Sequence, residues 1–500
     1  MKHGGDWMSH LEQYFARFRS SIIGQGKTFL SPYGEKRIIY ADWIASGRLY
    51  EPIEEKLLKE FGPFVANTHT ESNETGTLMT KSLHEAHQII KRHVQANDED
   101  VIITDGSGMT GVVNKFQRIL GLRVPERFKE KITLSEEERP IIFVTHMEHH
   151  SNHTSWVETI GDVRVLQKTE DGRVDLDHLI SLLEKYQHRQ VKIGSFTACS
   201  NVTGVETPYH EIAKVMHQYG GLCFVDFAAS APYVSINMHP EDPLEKLDAI
   251  FFSPHKFLGG PGTSGVLIFD SKLYSNLIPD HPGGGTVTWT NPWGGRSYVT
   301  NIEERESGGT PGFLQAIKAA LSIKLKEEMG TNNMLAREKE LMGIIFNELE
   351  QVPTIHILDG HIKERIGIIS FYVEEVPYNL FVRLLNDRYG IQVRGGCSCA
   401  GTYGHFLLNI SEDASKRITD QIDCGILAVK PGWVRLSVHP TMTNEESFAV
   451  ASAIKNIVSN HEEWKKDYVF HEEMNDYVHT QSQEKDIDSL FELNPLNVTM

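Results

Sequence analysis

The sequence has few cysteines, fewer basic than acidic residues, and no long apolar run. Its 500 residues include five cysteines, too few and too odd in number for a secreted disulfide framework. The 49 Lys and Arg against 67 Asp and Glu give a formal net charge of −18, which argues against nucleic acid or an anionic membrane as the main partner. No stretch approaches the roughly 18 apolar residues of a membrane span, and the N-terminus lacks a signal-peptide core. We therefore expect a cytoplasmic protein that binds neither nucleic acid nor membranes.

The first half of the chain has the pattern of an α/β domain. Short apolar runs alternate with helical patterns, which is typical of βα units. The runs are apolar almost throughout, as expected for strands that are covered on both faces. We predict an α/β fold with a mostly parallel, seven-stranded sheet. The runs are residues 101–104, 141–146, 163–166, 192–197, 222–227, 249–253 and 265–270.

The second half changes character. Short strand-like runs between about 354 and 456, with helices at 378–389 and 444–458, predict a smaller α+β domain. The acidic, polar C-terminus has few apolar anchors, which predicts a mobile or docking tail. Segment 271–312, rich in Gly and Trp, is predicted to be a long ordered loop with a function. The predicted divisions are an N-terminal arm (1–40), a large domain (41–315), a small domain (316–465) and a tail (466–500).

Lys256 ends the segment Ser253-Pro254-His255-Lys256, which directly follows an apolar strand and precedes a glycine-rich segment. A lysine at a strand end can simply be solvated. However, the glycines allow close backbone approach, and the neighbouring Ser253 and His255 offer a hydroxyl and an imidazole to an anion. An amine held there can form a Schiff base with a carbonyl compound.

Asp226 ends another apolar run, upstream of Lys256. Such a carboxylate can also serve as a helix N-cap. A Schiff-base lysine and an acidic partner for a pyridinium nitrogen are the two protein groups that a pyridoxal phosphate site requires. The pair Asp226 and Lys256 therefore indicates pyridoxal 5'-phosphate as the cofactor.

A glycine-rich segment at 104–111 lies between a strand and a helix. Backbone N–H groups at a helix start bind phosphate, and glycines let the anion come close, although an ordinary βα turn has the same pattern. The segment is not a Walker loop, because no Gly-Lys-Ser/Thr follows. The candidate phosphate ligands are Ser107, Gly108, Met109 and Thr110.

Residues 146–153 contain four histidines. Their spacing does not match His-Glu-x-x-His and no third ligand motif is evident, so we predict no metal site. We expect one of these imidazoles to stack on the cofactor ring and the others to lie at the surface.

Two cysteines, Cys397 and Cys399, lie in a glycine-rich turn beside Arg394. The pattern suits an exposed, reactive thiol, and a structural pair or a redox couple are the alternatives. Downstream, Arg435 can clamp a carboxylate bidentately.

Together, these residues resemble the class V aminotransferase family of fold-type I pyridoxal phosphate enzymes, over about residues 40–458. Within it they are most similar to the cysteine desulfurase and selenocysteine lyase branch. Residues 147–152 match Met-Glu-His-His-x-Asn, which implies that His149 is the ring-stacking and acid/base histidine. Residues 253–256 match Ser-x-His-Lys, which implies that Lys256 is the Schiff-base lysine and that Ser253 and His255 bind phosphate.

The same resemblance assigns further residues. It implies that Asn201, in a Ser-Asn-x-x-Gly turn, lies beside the cofactor and that Asp226 is the pyridinium partner. Residues 394–400 resemble Arg-x-Gly-x-His-Cys-Ala, which implies that Cys399 carries a persulfide. Arg435 resembles the arginine that binds the substrate carboxylate, and Arg394 is assigned to the same substrate site. Thr310 resembles the threonine that the neighbouring subunit of a homodimer contributes to the phosphate.

The sequence also departs from the branch. Ala229 stands where the branch has glutamine, Ser398 stands where it has histidine, and Cys397 is an extra thiol. The phosphate turn reads Gly-Ser-Gly-Met-Thr in place of Gly-Thr-Thr-Glu-Gly. These departures leave the amino-acid substrate and the sulfur acceptor open.

The resemblance implies a homodimeric enzyme that removes sulfur from L-cysteine. The Cys399 thiolate would attack the substrate sulfur and leave a persulfide and alanine, with a sulfur-acceptor protein as a possible partner. The alternatives are a class V aminotransferase, or another carbon–sulfur lyase, that does not use Cys399. A thiol-bearing scaffold with a degenerate site is a non-enzymatic alternative.

Overall fold

The computed structural model describes residues 9–482 and 486–493. The N-terminal segment begins with a helix capped by the Ser9 hydroxyl, and its side chains Phe15 and Phe18 are buried. A hairpin, a short strand and two helices follow. These elements are α1 (His10–Arg19), β1 (Thr28–Ser31), β2 (Gly34–Arg37), β3 (Ile39–Tyr40), α2 (Glu51–Lys56) and α3 (Glu74–His93).

The seven predicted apolar runs all form strands of one sheet. They are β4 (Asp100–Asp105), β5 (Ile141–Val144), β6 (Asp162–Val165), β7 (Lys192–Thr197), β8 (Leu222–Asp226), β9 (Ala249–Phe252) and β10 (Gly265–Asp270). Their order is β4-β10-β9-β8-β7-β5-β6, and only β10 pairs antiparallel to its neighbours. The helices between them are α4 (Met109–Ile119), α5 (Glu126–Lys129), α6 (His150–Val157), α7 (Leu176–Lys185) and α8 (Tyr209–Gln218). The predicted α/β fold class is confirmed.

The central sheet is buried on both faces. Successive side chains of a strand point to opposite faces, and those of β5 therefore enter two separate buried clusters: Phe143 joins one, and Ile142 and Val144 join the other. Helices cover these clusters, which explains why the strands are apolar throughout. The carboxyl ends of the parallel strands meet at one edge of the sheet, where open α/β folds bind their ligands.

Segment 271–312, predicted to be a loop, contains a hairpin and a short helix. The Asn291 side chain accepts hydrogen bonds from the backbone N–H groups of Trp293 and Gly295, which closes the turn of the hairpin. Two long helices follow this segment. The elements are β11 (Val287–Thr290), β12 (Arg296–Tyr298), α9 (Ile302–Arg305), α10 (Phe313–Met329) and α11 (Thr331–Leu349).

A second, smaller sheet follows, as the sequence pattern predicts. Its strands are β13 (Ile355–Ile357), β14 (Ile368–Val373), β16 (Arg394–Gly396) and β17 (Trp433–Ser437), in the antiparallel order β13-β14-β17-β16. The short strand β15 (Ile391–Gln392) pairs in parallel with β3 and so ties this region to the N-terminal segment. The helices are α12 (Tyr378–Tyr389), α13 (Gly401–Leu407), α14 (Glu412–Asp423) and α15 (Asn444–Trp464).

The first part of the predicted mobile or docking tail, from residue 466, is folded. Strands β18 (Tyr468–His471) and β19 (Asp476–His479) form a hairpin against α12. Tyr468 and Tyr477 are buried and supply the apolar anchors, and the Tyr468 hydroxyl donates to Asp387 at 2.9 Å. Residues 483–485 and 494–500 of the predicted tail lie outside the described residues. Within the described part of the chain, every helix is too short or too polar to cross a bilayer.

Candidate active site

A cavity of about 670 Å³ opens at the carboxyl edge of the central sheet. The ends of β7, β8 and β9 form one side, and β16, β17 and α14 form the other. Most of the residues predicted from the sequence line this cavity, although they are scattered along the chain. They are Met109, Thr110, His149, Asn201, Asp226, Ser253, His255, Lys256, Arg394, Cys399 and Arg435.

Asp226 is the last residue of β8 and its side chain is buried. One carboxylate oxygen accepts a hydrogen bond from the N–H of Ala228 at 2.8 Å. Burial raises the pKa of Asp226 to about 6, while this hydrogen bond and the charge of Lys256 act in the opposite direction. A carboxylate in this setting is stabilised by any cationic N–H group that enters the cavity.

Lys256 ends a single 3-10 turn that follows β9. Burial lowers the pKa of its amine to about 8, and Asp226 opposes that shift. The turn is braced by the N-terminal segment, because the Gly47 N–H donates to the His255 carbonyl at 2.9 Å. A Cβ at Gly47 would lie 1.9 Å from the Phe257 carbonyl oxygen, so this close approach requires glycine. The sequence patterns did not identify Gly47.

The start of α4 forms an anion cradle. The Met109 N–H donates to the Ser253 hydroxyl at 2.8 Å. The N-cap residue of α4 is Gly108, which has no side chain to cap the helix. A Cβ at Gly108 would lie 3.2 Å from that hydroxyl, so glycine lets the helix start close against it. The first N–H groups of a helix have no partner within the helix and attract anions. Thr110, whose hydroxyl hydrogen-bonds Ser151 at 2.6 Å, completes the cradle.

His149 is the N-cap of α6 and enters the cavity. Its Nδ1 accepts a hydrogen bond from the Ser151 N–H at 3.1 Å, which leaves the proton of a neutral ring on Nε2. Burial and the charge of Lys256 lower the pKa of His149 to about 3. The ring is therefore neutral at physiological pH.

The other histidines of this segment make separate contacts. His146 hydrogen-bonds the Gly172 carbonyl, His150 accepts from the Gly401 N–H at 2.9 Å, and His153 hydrogen-bonds Thr402. The last two contacts hold α6 against α13. His146 is buried, which differs from the expected surface position.

Glu148 is a buried residue of this segment to which the sequence patterns assigned no role. Its carboxylate accepts hydrogen bonds from Thr145, from the Asn152 amide and from the Thr197 N–H. Burial raises the pKa of Glu148 to about 8, against the effect of these donors. The carboxyl fixes the start of α6 relative to β7, and so it fixes His149 over the cavity.

Asp42 joins the two candidate substrate arginines. Arg435 is buried and donates to one Asp42 oxygen at 3.0 Å, and Arg394 donates to the other at 3.2 Å. Arg435 also donates to the Asn201 carbonyl at 3.1 Å. Its Nε atom is buried and has no hydrogen-bond partner among the residues described. Asp42 therefore orients both arginines. No local sequence pattern identified Asp42.

The thiol turn, residues 397–400, follows β16. The Ala400 N–H donates to the Cys397 carbonyl at 3.0 Å, and Ser398 and Cys399 have φ of +53° and +57°. The turn is held by two contacts, from the Asn201 amide to the Ser398 carbonyl at 2.8 Å and from the His150 N–H to the Cys399 carbonyl at 2.7 Å. These contacts offset the cost of the left-handed backbone and place Cys399 at the cavity.

Residues 39–447 match the family model described as Aminotransferase class-V. The chain belongs to this family. Class-V aminotransferases use pyridoxal phosphate, and the chain is an enzyme of this family. Ser107, predicted from the glycine-rich turn, and Thr310, predicted from the family resemblance, are exposed and are not part of the cavity lining. Ala229, which replaces the glutamine of the desulfurase branch, lines the cavity.

The curated relatives include probable cysteine desulfurases. The one from Staphylococcus epidermidis is 27% identical over 371 residues, which cover 73% of this chain and 84% of that protein. The one from Halalkalibacterium halodurans is 27% identical over 369 residues, with the same coverage of 73% and 84%.

Solved structures of two cysteine desulfurases share the fold. The apo enzyme from Thermococcus onnurineus has a TM-score of 0.70 at 21% identity, and the match covers 89% of this chain and 98% of that chain. CsdA from Escherichia coli has a TM-score of 0.68 at 20% identity, and the match likewise covers 89% and 98%.

The cavity of this class-V enzyme fits pyridoxal phosphate. A helix N-terminus and the Ser253 hydroxyl suit the phosphate, and the buried Asp226 carboxylate suits a pyridinium nitrogen. The Oδ1 atom of Asn201 is buried in the same cavity and has no hydrogen-bond partner in the described part of the chain, which leaves an acceptor for a bound group.

Proposed function

We propose that the chain is a pyridoxal-phosphate-dependent cysteine desulfurase, which removes sulfur from L-cysteine and releases alanine. The observation that carries the proposal is that Cys399 lines the same cavity as Lys256 and Asp226. A thiol in that position is required for sulfur capture but not for transamination. The probable cysteine desulfurases among its relatives support the same reaction.

The residues that would hold the cofactor are those already described. Ser253, His255, Thr110 and the start of α4 would bind its phosphate, Asp226 would bind its ring nitrogen, and Lys256 would attach it covalently. When bound, pyridoxal phosphate supplies an electron sink for the substrate amino acid. Asp226 would support that role, because its negative charge would favour a protonated ring nitrogen.

Four residues of the chain would then act on the substrate, each in a different role. Arg435, held by Asp42, binds the substrate carboxylate. Lys256 would be released when the substrate amino group takes its place, and its free amine, with a pKa lowered to about 8, has a substantial neutral fraction near physiological pH and would accept the α-proton. His149 is neutral and carries its proton on Nε2, and it would act as the acid/base group that transfers a proton to or from the substrate. The Cys399 thiolate attacks the substrate sulfur and leaves a persulfide and alanine.

Two substitutions test this assignment. Lys256→Ala should abolish the visible absorbance of covalently attached pyridoxal phosphate. Cys399→Ala should keep that absorbance but abolish sulfide release from cysteine. Cys424→Ala is the matched control, because this exposed cysteine at the end of α14 lies outside the cavity lining.

Measurements of sulfide, of the carbon product and of visible absorbance distinguish the alternative functions. Undiminished sulfide release by Cys399→Ala would favour a carbon–sulfur lyase that does not use Cys399. A keto acid as the product would favour an aminotransferase. A purified protein without visible absorbance after incubation with pyridoxal phosphate would favour a scaffold.

A further inference from the structure

The active-site cavity contains a second thiol that the proposed reaction does not use. Cys397 and Cys399 both line the cavity. Cys399 is exposed, whereas Cys397 is half-buried and packs against the hydrophobic core. The two thiols therefore share one space but differ in their access to solvent.

The turn brings these two residues close together. Its closing hydrogen bond, from the Ala400 N–H to the Cys397 carbonyl, makes Cys397 the first and Cys399 the third residue of a β-turn. Consecutive Cα atoms are about 3.8 Å apart, so the Cα atoms of residues two positions apart lie within about 7 Å of each other, and two cysteines can share an S–S bond at Cα separations of about 4.4–6.8 Å. The turn and the shared cavity therefore keep the two thiols near enough for sulfur to be passed from one side chain to the other.

The residue between them provides a polar group for this transfer. Ser398 is buried and lines the cavity, and its hydroxyl has no hydrogen-bond partner among the described residues. A hydroxyl can donate to a thiolate.

We propose that Cys397 is a second sulfur carrier, which takes the sulfur from the persulfide of Cys399. The proposal rests on the proposed desulfurase function. The Cys397 thiolate attacks the outer sulfur of the Cys399 persulfide, so that one S–S bond forms, one S–S bond breaks, and the electron pair leaves on the Cys399 sulfur. The proton lost by Cys397 is taken up by Cys399. The step is a thiol exchange that needs no added oxidant or reductant.

Two consequences follow from this transfer. The sulfur moves from an exposed thiol to a half-buried one, where it is sheltered from small reductants. Cys399 is also freed for a second turnover before any acceptor arrives. Each chain can then hold about two sulfur atoms, one on each thiol.

The amplitude of the alanine burst tests the proposal. Holoenzyme is mixed with L-cysteine and no added reductant, and the alanine of the fast first phase, formed before free cysteine reduces the persulfides, is counted per chain. We expect about two equivalents for the wild type and for the control Cys424→Ala, and about one for Cys397→Ala. A wild-type burst of about one equivalent, or a burst of about two in Cys397→Ala, would overturn the relay.

Peptide mapping gives a second readout that does not depend on the folding of Cys397→Ala. After alkylation, fragment masses should place persulfide sulfur on Cys397 in the wild type and on neither thiol in Cys399→Ala. Sulfur confined to Cys399 in the wild type, or sulfur on Cys397 in Cys399→Ala, would contradict the relay while leaving alanine formation intact. If the wild type forms no alanine at all, the proposed function itself fails.

Discussion

At the residue scale, Asp226 and Lys256 carry the chemistry because they are buried together. Burial moves both groups towards their neutral forms, with a pKa of about 6 for the carboxyl and about 8 for the amine. Their mutual attraction opposes these shifts but does not overcome them. The result is an amine that is reactive near neutral pH, next to a carboxylate that remains available for a cationic ring nitrogen.

The lowered pKa of Lys256 predicts the pH dependence of cofactor attachment. Only the neutral amine attacks a carbonyl, so the rate at which the apo protein gains visible absorbance should rise with pH and level off above about 8. Asp226→Asn should move this midpoint to lower pH, because Asp226 raises the pKa of Lys256. A rate that continues to rise towards 10.5, the ordinary lysine value, would show that the amine is not perturbed.

Sequence patterns found the residues whose chemistry is local. Lys256 and Asp226 stand at the ends of apolar runs, where a charged side chain is conspicuous. Asp42 and Glu148 could not be found in this way, because their roles arise from contacts with residues far away in the chain. Gly47 is similar, since its close approach to Phe257 exists only in the folded chain.

At the element scale, the C-terminal hairpin β18–β19 reaches the active site through Tyr378. The Tyr378 ring lies against Gly395 and Gly432, where an added Cβ would come within 2.9 and 2.7 Å of it. Its hydroxyl accepts a hydrogen bond from the Asn475 amide at 3.0 Å. The hairpin therefore braces the strand that leads into the thiol turn.

The Asn475 contact predicts the effect of a single substitution. Asn475 has φ of +48°, so Asn475→Gly removes the side chain without adding backbone strain. The substitution removes two side-chain hydrogen bonds, one to the Tyr378 hydroxyl and one from the Asn379 amide. We expect the free energy of unfolding to fall by about 0.5–1.5 kcal/mol for each, the usual net value of a hydrogen bond, and sulfide production to fall with unchanged cofactor absorbance. Calorimetry and a sulfide assay measure the two effects.

Met474→Ala is the matched control for this substitution, because Met474 is an exposed neighbour on the same turn. It should leave both quantities near their wild-type values. Full sulfide production in Asn475→Gly would show that the hairpin does not brace the thiol turn.

Hydrophobic periodicity predicted the strands of the central sheet well but missed shorter and more polar elements. The runs of β5 and β9 are entirely buried, and such runs have a strong apolar signal. Helix α14 was not predicted, because none of its residues is buried and its composition resembles a polar loop. The hairpin at 468–479 was missed because its two buried tyrosines are separated by polar residues.

At the scale of the whole molecule, the cavity combines the N-terminal segment, the central sheet and the smaller sheet. An anionic cofactor has to bind to a chain with a net charge of −18. The positive potential of the α4 N-terminus and of Arg435 must therefore outweigh the negative potential of the whole chain. Thr310 is exposed and lies apart from the cavity lining of its own chain. We propose that it serves the cavity of the partner subunit in a homodimer.

Mixing two inactive variants tests this proposal. Lys256→Ala and Thr310→Ala should each have low activity, whereas co-expressed chains should recover about a quarter of the wild-type activity. About half of the dimers are then mixed, and each mixed dimer contains one site with both residues intact. A monomeric mass in solution, or no recovery on mixing, would contradict the proposal.

The most direct test of the central claim is the product formed from L-cysteine alone. The holoenzyme should release alanine and, once a thiol reductant is added, an equal amount of sulfide, because Cys399 takes the sulfur while the carbon skeleton keeps its amino group. Pyruvate or another keto acid in place of alanine would contradict the desulfurase assignment.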